Sequence, residues 1–275
     1  MNRMKRNYIY LSALCLLSAL CVGCSHIDQD EQLIYVKPAD VSRAVLIEDF
    51  TGQNCLNCPN ATVAIADLQE TYGHDNVVAV GIYSGDFGYM RGDFNRPYPL
   101  TTTVGHEYYK HWKLDHQPVG IVNRHGASEY QDWARQALEQ MQQKARLQLS
   151  ARATLDAESR TMTIAVTALG TDGDTDGKLQ LWLTEDSIVD GQRMPDGVWN
   201  KEYLHNHVFR DAVNGQWGTD FRIAEGETRE ETFTYTIAED KAWVPKNMHV
   251  VAFVYTGQGV EQVVAVPIGE AAADE

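Results

Sequence analysis

The stretch that decides the fold runs from Arg43 to Tyr72: R-A-V-L-I-E-D-F-T-G-Q-N-C-L-N-C-P-N-A-T-V-A-I-A-D-L-Q-E-T-Y. It opens on Val45, Leu46 and Ile47, a short apolar, β-branched run that fits a buried strand. Thr51-Gly52-Gln53-Asn54 reads as a turn, followed by Cys55, Cys58 and Pro59. Val63, Ile65, Ala66 and Leu68 then mark one face of a helix. A dithiol is thus expected at a helix start, where unpaired backbone N–H groups and the positive end of the helix dipole lower a thiol's pKa. Two cysteines two residues apart in a first turn can close a disulfide with little backbone movement. Pro59 suits an early helical position, which does not need the N–H that proline lacks. Cys55 is expected to be the exposed nucleophile and Cys58 the resolving partner.

Working outward, Asn76 to Tyr83 reads as a second buried strand of parallel type, giving a right-handed strand–helix–strand unit. Ser84 to Leu114 begins as an irregular loop rich in Gly, Pro and aromatics, among them Phe87, Tyr89, Phe94 and Tyr98, which can form a lip above the dithiol or simply pack the loop. Arg91-Gly92-Asp93 lies in this loop; three residues are too short a match to carry weight. Thr103 to Leu114 has helical character, and Val119 to Val122 forms a strand after Pro118. Ser128 is expected to cap a helix from Glu129 to about Leu147, with no strand hairpin ahead of it. His111, His116 and His125 lie around Pro118 in the sequence; one of them can titrate near the dithiol as an acid or base, the alternative being that they are simply exposed or capped.

The segment D-F-T-G-Q-N-C-L-N-C-P resembles the active-site strand and loop of thioredoxin-fold proteins. That resemblance implies a buried acid six residues before the first cysteine, which is Asp49 here, to assist proton transfer. It also implies a proline, usually cis, opposite the dithiol; Pro118 in H-Q-P-V-G-I-V-N-R is the match. Leu56-Asn57 departs from the usual intervening pair, and no tryptophan precedes Cys55. A wider resemblance rests on four features together: the lipoprotein start, the F-T-G-x-x-C-x-x-C-P loop, the P-x-G-x-V-N-R strand and a β-rich second half. Together they resemble the Omp28-related outer-membrane proteins of Bacteroidales, which implies a thioredoxin-like domain and an envelope lipoprotein.

Residues 1–23 read as a lipoprotein signal peptide: Arg3, Lys5 and Arg6 are positive, and Tyr8 to Val22 is apolar but short for a membrane span. Cys21-Val22-Gly23-Cys24 resembles a lipobox, which makes Cys24 the lipidation site and the membrane anchor; a plain signal peptide is the alternative. Residues 24–42 form an acidic tether, either a solvated linker or a surface-export signal. Removing Cys15 and Cys21 with the signal and committing Cys24 to lipid leaves only Cys55 and Cys58 free to pair, in an exported chain where disulfides persist. That disulfide is either a redox centre or a structural staple. The net charge of −15 over 275 residues argues against nucleic acid or an anionic lipid surface as partner.

From Leu149 the pattern switches to period two, through Leu149–Leu155, Met162–Ala168, Leu179–Leu183, Glu231–Ile237, His249–Tyr255 and Glu261–Ile268. The fold class expected is therefore an α/β thioredoxin-like domain (43–147) followed by an all-β immunoglobulin-like sandwich (148–269) and an acidic tail (270–275). Asp172-Gly173-Asp174-Thr175-Asp176-Gly177 has the first half of a calcium loop but reaches Leu183 where the closing glutamate belongs, so a hairpin turn is the better reading. His205-Asn206-His207 can set two imidazoles on one strand face, without a third ligand in view. Asp190 to Trp217 reads as a long excursion and the first place to look for recognition. No cofactor or metal is expected. The functional expectation is an outer-membrane lipoprotein, facing periplasm or cell surface, whose Cys55–Cys58 pair exchanges disulfides with a protein or peptide. The rival is a surface binding or adhesion protein with a structural disulfide.

Overall fold

The computed structural model of the chain describes residues 39–88 and 100–270. The signal peptide, Cys24, most of the tether, Tyr89, the Arg91-Gly92-Asp93 tripeptide, Phe94, Tyr98 and residues 271–275 lie outside the described residues. Among the described residues no helix is long and apolar enough to cross a membrane.

In chain order the first half holds β1 (Val41–Ser42), β2 (Val45–Thr51), α1 (Cys58–Tyr72), β3 (Val77–Tyr83), α2 (Thr103–His111), β4 (Val119–Val122), β5 (Ala127–Ser128) and α3 (Trp133–Met141). β2 and β3 are parallel, from Val45 opposite Val77 to Thr51 opposite Tyr83, with α1 as the crossover. All seven residues of each strand are buried, so both faces must be covered. Period two then assigns the faces. Val45 and Ile47 point to α1 and α3, where they meet Ala61, Ile65, Leu68, Trp133 and Ala137. Leu46 and Phe50 point the other way, into a cluster shared with the second half.

Two local expectations are corrected here. A short hairpin does precede the helix: β5 pairs with β4, Gly120 opposite Ser128. The helix is also shorter than 129–147. Ser128 lies in β5 and does not cap it, and α3 starts at Trp133 after a 3-10 turn over Tyr130–Asp132. Trp133, fully buried, sets that register: its ring lies so close over Gly120 that a Cβ there would sit 2.2 Å from Cζ2. α3 stops at Met141 because Lys144 and Ala145 are drawn into strand pairing with Ser42 and Val41.

The second half continues with β6 (Lys144–Ala145), β7 (Leu147–Asp156), β8 (Thr161–Gly170), β9 (Thr175–Glu185), β10 (Ile188–Arg193), β11 (Trp199–His205), β12 (Val208–Ala212), β13 (Thr219–Ile223), β14 (Thr228–Thr236), β15 (Met248–Thr256) and β16 (Gly259–Glu270). The region is β-rich and the alternating runs are strands. The Asp190–Trp217 excursion is also mostly strand, β10 to β12, and not an irregular loop. One face of β7, β8 and β14 meets one face of β9, β13 and β15 around Leu149, Ile164, Leu181, Phe221 and Val250. The opposite face of β9 and β15 carries Trp182, Val251 and Phe253, which pack against Leu46 and Phe50 of β2. A single twelve-stranded sheet, in the order β14-β8-β7-β16-β15-β9-β12-β3-β2-β4-β5 with β13 on β9, runs through both halves. The joint is β12, antiparallel to β9 on one side and parallel to β3 on the other, where the Gly81 N–H donates to the His207 carbonyl (2.8 Å).

Candidate functional site

The dithiol loop leaves the sheet at the end of β2. Gly52 is required there, because a Cβ would fall 2.2 Å from the Phe87 carbonyl oxygen, the same oxygen that accepts from the Asn54 N–H (3.0 Å). The Cys55 N–H closes a tight turn onto the Gly52 carbonyl (3.1 Å). Cys55 and Cys58 are joined by a disulfide. Cys58 is the first residue of α1, followed by Pro59, and its N–H donates to Cys55 Sγ (3.1 Å). The helix start therefore aims a backbone donor at the first sulfur, as the spacing predicts.

The expected exposure of Cys55 is not found. Cys55 is 3% and Cys58 2% exposed, while Leu56 and Asn57 between them reach the surface. β10 lies against this loop. Gln192 Nε2 donates to the carbonyls of Gly52 (3.2 Å) and Cys55 (3.0 Å). Gln53 Nε2 donates to the Gly191 carbonyl (2.8 Å), and the Arg193 N–H to the Gln53 carbonyl (2.8 Å). Nothing near the cysteines in sequence announces Gln192; the only signal was the length of the excursion that holds it.

Asp49 sits on β2 with its side chain on the α1 side. It is 3% exposed, its Oδ1 has no hydrogen-bond partner, and burial pushes its pKa up from 3.8 to about 7. A cavity of about 560 Å³ opens beside it, lined by Thr51, Thr62, Tyr83, Tyr203 and His205 among others. The two cysteines do not line this cavity. The Tyr83 hydroxyl and His205 Nδ1 are 2.6 Å apart. Pro118 follows a cis peptide bond from Gln117 and is buried just ahead of β4. Since Val119 is opposite Phe50, Pro118 stands level with Thr51, at the sheet end where the dithiol loop departs. Gln117 fixes that end by donating through Nε2 to the carbonyls of Thr51 (2.6 Å) and Ser84 (2.9 Å).

Glu48, the neighbour of Asp49, points to the opposite face. There its Oε1 accepts from Arg124 Nε (2.9 Å), and the guanidinium lies 4.0 Å from the Tyr255 ring centre. His205 and His207 do not share a strand face. The chain bends at Asn206, sending His205 to Tyr83 and His207, with φ 57°, to Asp186 (3.2 Å). Of the histidines near Pro118, His116 is exposed and held between Asp115 and Glu129 (2.8 Å each), whose hydrogen bonds raise its pKa. His111 packs against Trp217 at a tilt, 4.3 Å between ring centres and 50° between planes. The Asp172–Gly177 turn is tied across the sheet by Glu225 and Arg222. Among the described residues no three His, Cys, Asp or Glu side chains are grouped to hold a metal.

No curated protein matches the sequence. Among solved structures, HBP35 of Porphyromonas gingivalis superposes with a TM-score of 0.67 at 15% identity, over 86% of this chain and 80% of that one, a likeness of fold. A domain of the outer-membrane lipoprotein Omp28 from Porphyromonas gingivalis is 27% identical over 46% of this chain and 92% of that domain, with a TM-score of 0.35. The family model described as outer membrane protein Omp28 matches residues 105–272, more than half of the sequence. The chain belongs to the Omp28 family, and its place is the outer membrane.

Proposed function

We propose that this protein is a lipoprotein, anchored through Cys24 and tethered by residues 24–42, whose Cys55–Cys58 pair exchanges disulfides with a protein or peptide of the envelope. The observation that carries this reading is Asp49: a buried carboxyl whose Oδ1 has no hydrogen-bond partner, with its pKa raised to about 7, on the strand that delivers the dithiol. A structural staple has no use for such an acid, whereas exchange needs a group that gives and takes a proton near neutrality. The parallel β2–α1–β3 unit, the helix start at Cys58 and the position of Pro118 support a thioredoxin-like reading of residues 43–147. The core between the β7–β8–β14 and β9–β13–β15 layers supports an immunoglobulin-like sandwich over 148–269.

The step starts from the disulfide form. A partner thiolate attacks Cys55 Sγ, the Cys55–Cys58 bond breaks, and Cys58 leaves as a thiolate that takes a proton from Asp49. A second thiol of the partner, losing its proton, attacks the partner sulfur of the mixed disulfide and releases the Cys55 thiolate. The partner gains a disulfide and this protein gains two electrons. In the dithiol form, the Cys58 N–H is placed to donate to a Cys55 thiolate at the helix start. Pro118 shapes the groove in which the partner lies.

A second reading, a binding or adhesion protein with a structural disulfide, is favoured by the burial of both sulfurs. Alkylation of the full-length chain across a glutathione redox series separates the two. Exchange predicts a potential between about −120 and −270 mV with Cys55 alkylating first, and a value below about −300 mV overturns it.

A further inference from the structure

The element bonded to the dithiol loop is built like an arm with a fixed base and a held tip. β10 and β11 pair only with each other, as a two-stranded sheet apart from the large one. At the base, Ser187 (φ 60°) and His207 (φ 57°) are non-glycine residues in the left-handed region, a conformation that persists only where neighbours enforce it. The enforcement is reciprocal: the Ser187 N–H donates to Asn206 Oδ1 (2.9 Å) and the His207 N–H to Asp186 Oδ1 (2.5 Å). Ile188 anchors the same end among Tyr83, Leu100 and Val208. Toward the other end, where Gln192 is opposite Asn200, the amides of Gln192 and Gln53 and one backbone bond join the arm to the dithiol loop. Between base and tip the arm stands off α1, leaving the cavity of about 560 Å³, and Tyr203 touches Thr62 across it.

We propose that the β10–β11 arm is a latch over the dithiol, with Gln192 as its catch, and that the disulfide reacts only when the tip lifts. The inference rests on the exchange reading for its purpose, but not for its test. Attack on a disulfide runs along the S–S axis, and both sulfurs are covered. Side-chain amide bonds to loop carbonyls are a suitable catch, since each contributes little net stability. Lifting the tip joins the cavity to the dithiol and gives a cysteine-bearing peptide room against Asp49. Gln192 is a positioning residue in this scheme; it touches no reacting atom.

The test is the rate of reduction of the full-length, oxidised chain by a water-soluble phosphine, read by thiol alkylation. The phosphine takes one sulfur, water delivers its oxygen to phosphorus, and two thiols and a phosphine oxide result. This reaction is irreversible, so the rate is independent of the pair's potential. Gln192→Ala removes two loop bonds and is expected to react roughly 30-fold faster than wild type; Gln53→Ala, which removes one, roughly 5-fold faster. Gln180→Ala is the control: Gln180 is buried and bonds Asn214 and Gly215 at a distance from the dithiol, and its loss leaves the rate unchanged. Wild-type rates in both latch variants overturn the proposal. Equal acceleration in all three also overturns it, because access then comes by general loosening. Reduction of wild type as fast as oxidised glutathione overturns it as well. A low potential with a rate gain in the latch variants refutes exchange and keeps the latch.

Discussion

Replacing Asp49 by asparagine removes an ionisable group whose proton the native state holds too tightly, and the consequence is a defined pH dependence. Burial raises the carboxyl from 3.8 to about 7. Between those values the unfolded chain has lost the proton while the native chain keeps it, so the native state binds more protons and stability falls as pH rises. Below about pH 4 both states are protonated and the residue costs nothing; above about pH 7 the full cost is present and flat. Linkage with these two values gives a cost of about 2 kcal/mol at pH 5 and about 4 kcal/mol at pH 8. The Asp49→Asn variant has no such dependence, and any cost of placing its amide there is the same at every pH. Urea unfolding of wild type and Asp49→Asn at pH 5, 6, 7 and 8 should therefore show the variant gaining about 2–3 kcal/mol on wild type across the series. The other titrating groups are common to both chains and cancel. A difference that stays constant within about 0.5 kcal/mol would refute the raised pKa, and with it the acid's fitness for proton transfer.

Arg124→Met leaves Glu48 buried with no cation, and a loss of about 3–5 kcal/mol is expected in urea unfolding at pH 8, shrinking toward pH 5 as Glu48 takes a proton; a loss under about 1 kcal/mol refutes the pairing. Gly120→Ala drives a methyl into the Trp133 ring and is expected to cost about 1–3 kcal/mol, read from the shift in urea midpoint, which an unchanged midpoint would contradict.

What was legible in the sequence was what is local or periodic. The β2–α1–β3 unit could be read because its apolar runs are continuous and the strand end, the two cysteines and the proline all fall between Thr51 and Pro59. The strands of the second half showed through alternation, since Leu179, Leu181 and Leu183 all enter one core. Trp182 between them also has a core to enter, which alternation alone does not reveal. β5 was missed because a strand of two residues has no period. α3 was drawn too long because its polar last turn, helix-forming by composition, gives way to pairing with a segment about a hundred residues earlier. The burial of Cys55 was out of reach for the same kind of reason. Its carbonyl is bonded to Gln192, 137 residues away, on a strand whose Asp, Gly, Gln and Arg do not look like a strand at all.

The seam at β12 has a consequence for the order of events when the protein is made. The outer edge of β3 is closed only where Val208 comes to lie opposite Gly81, 127 residues further along the chain. At about 5–20 residues per second, that partner follows roughly 6–25 s after β3 itself. For that interval the first half carries an unpaired apolar strand edge, a ready template for wrong pairing with another copy. The protein's most hazardous moment thus falls before its disulfide or its fold has anything to do, and is set by the place of one five-residue strand in the sequence.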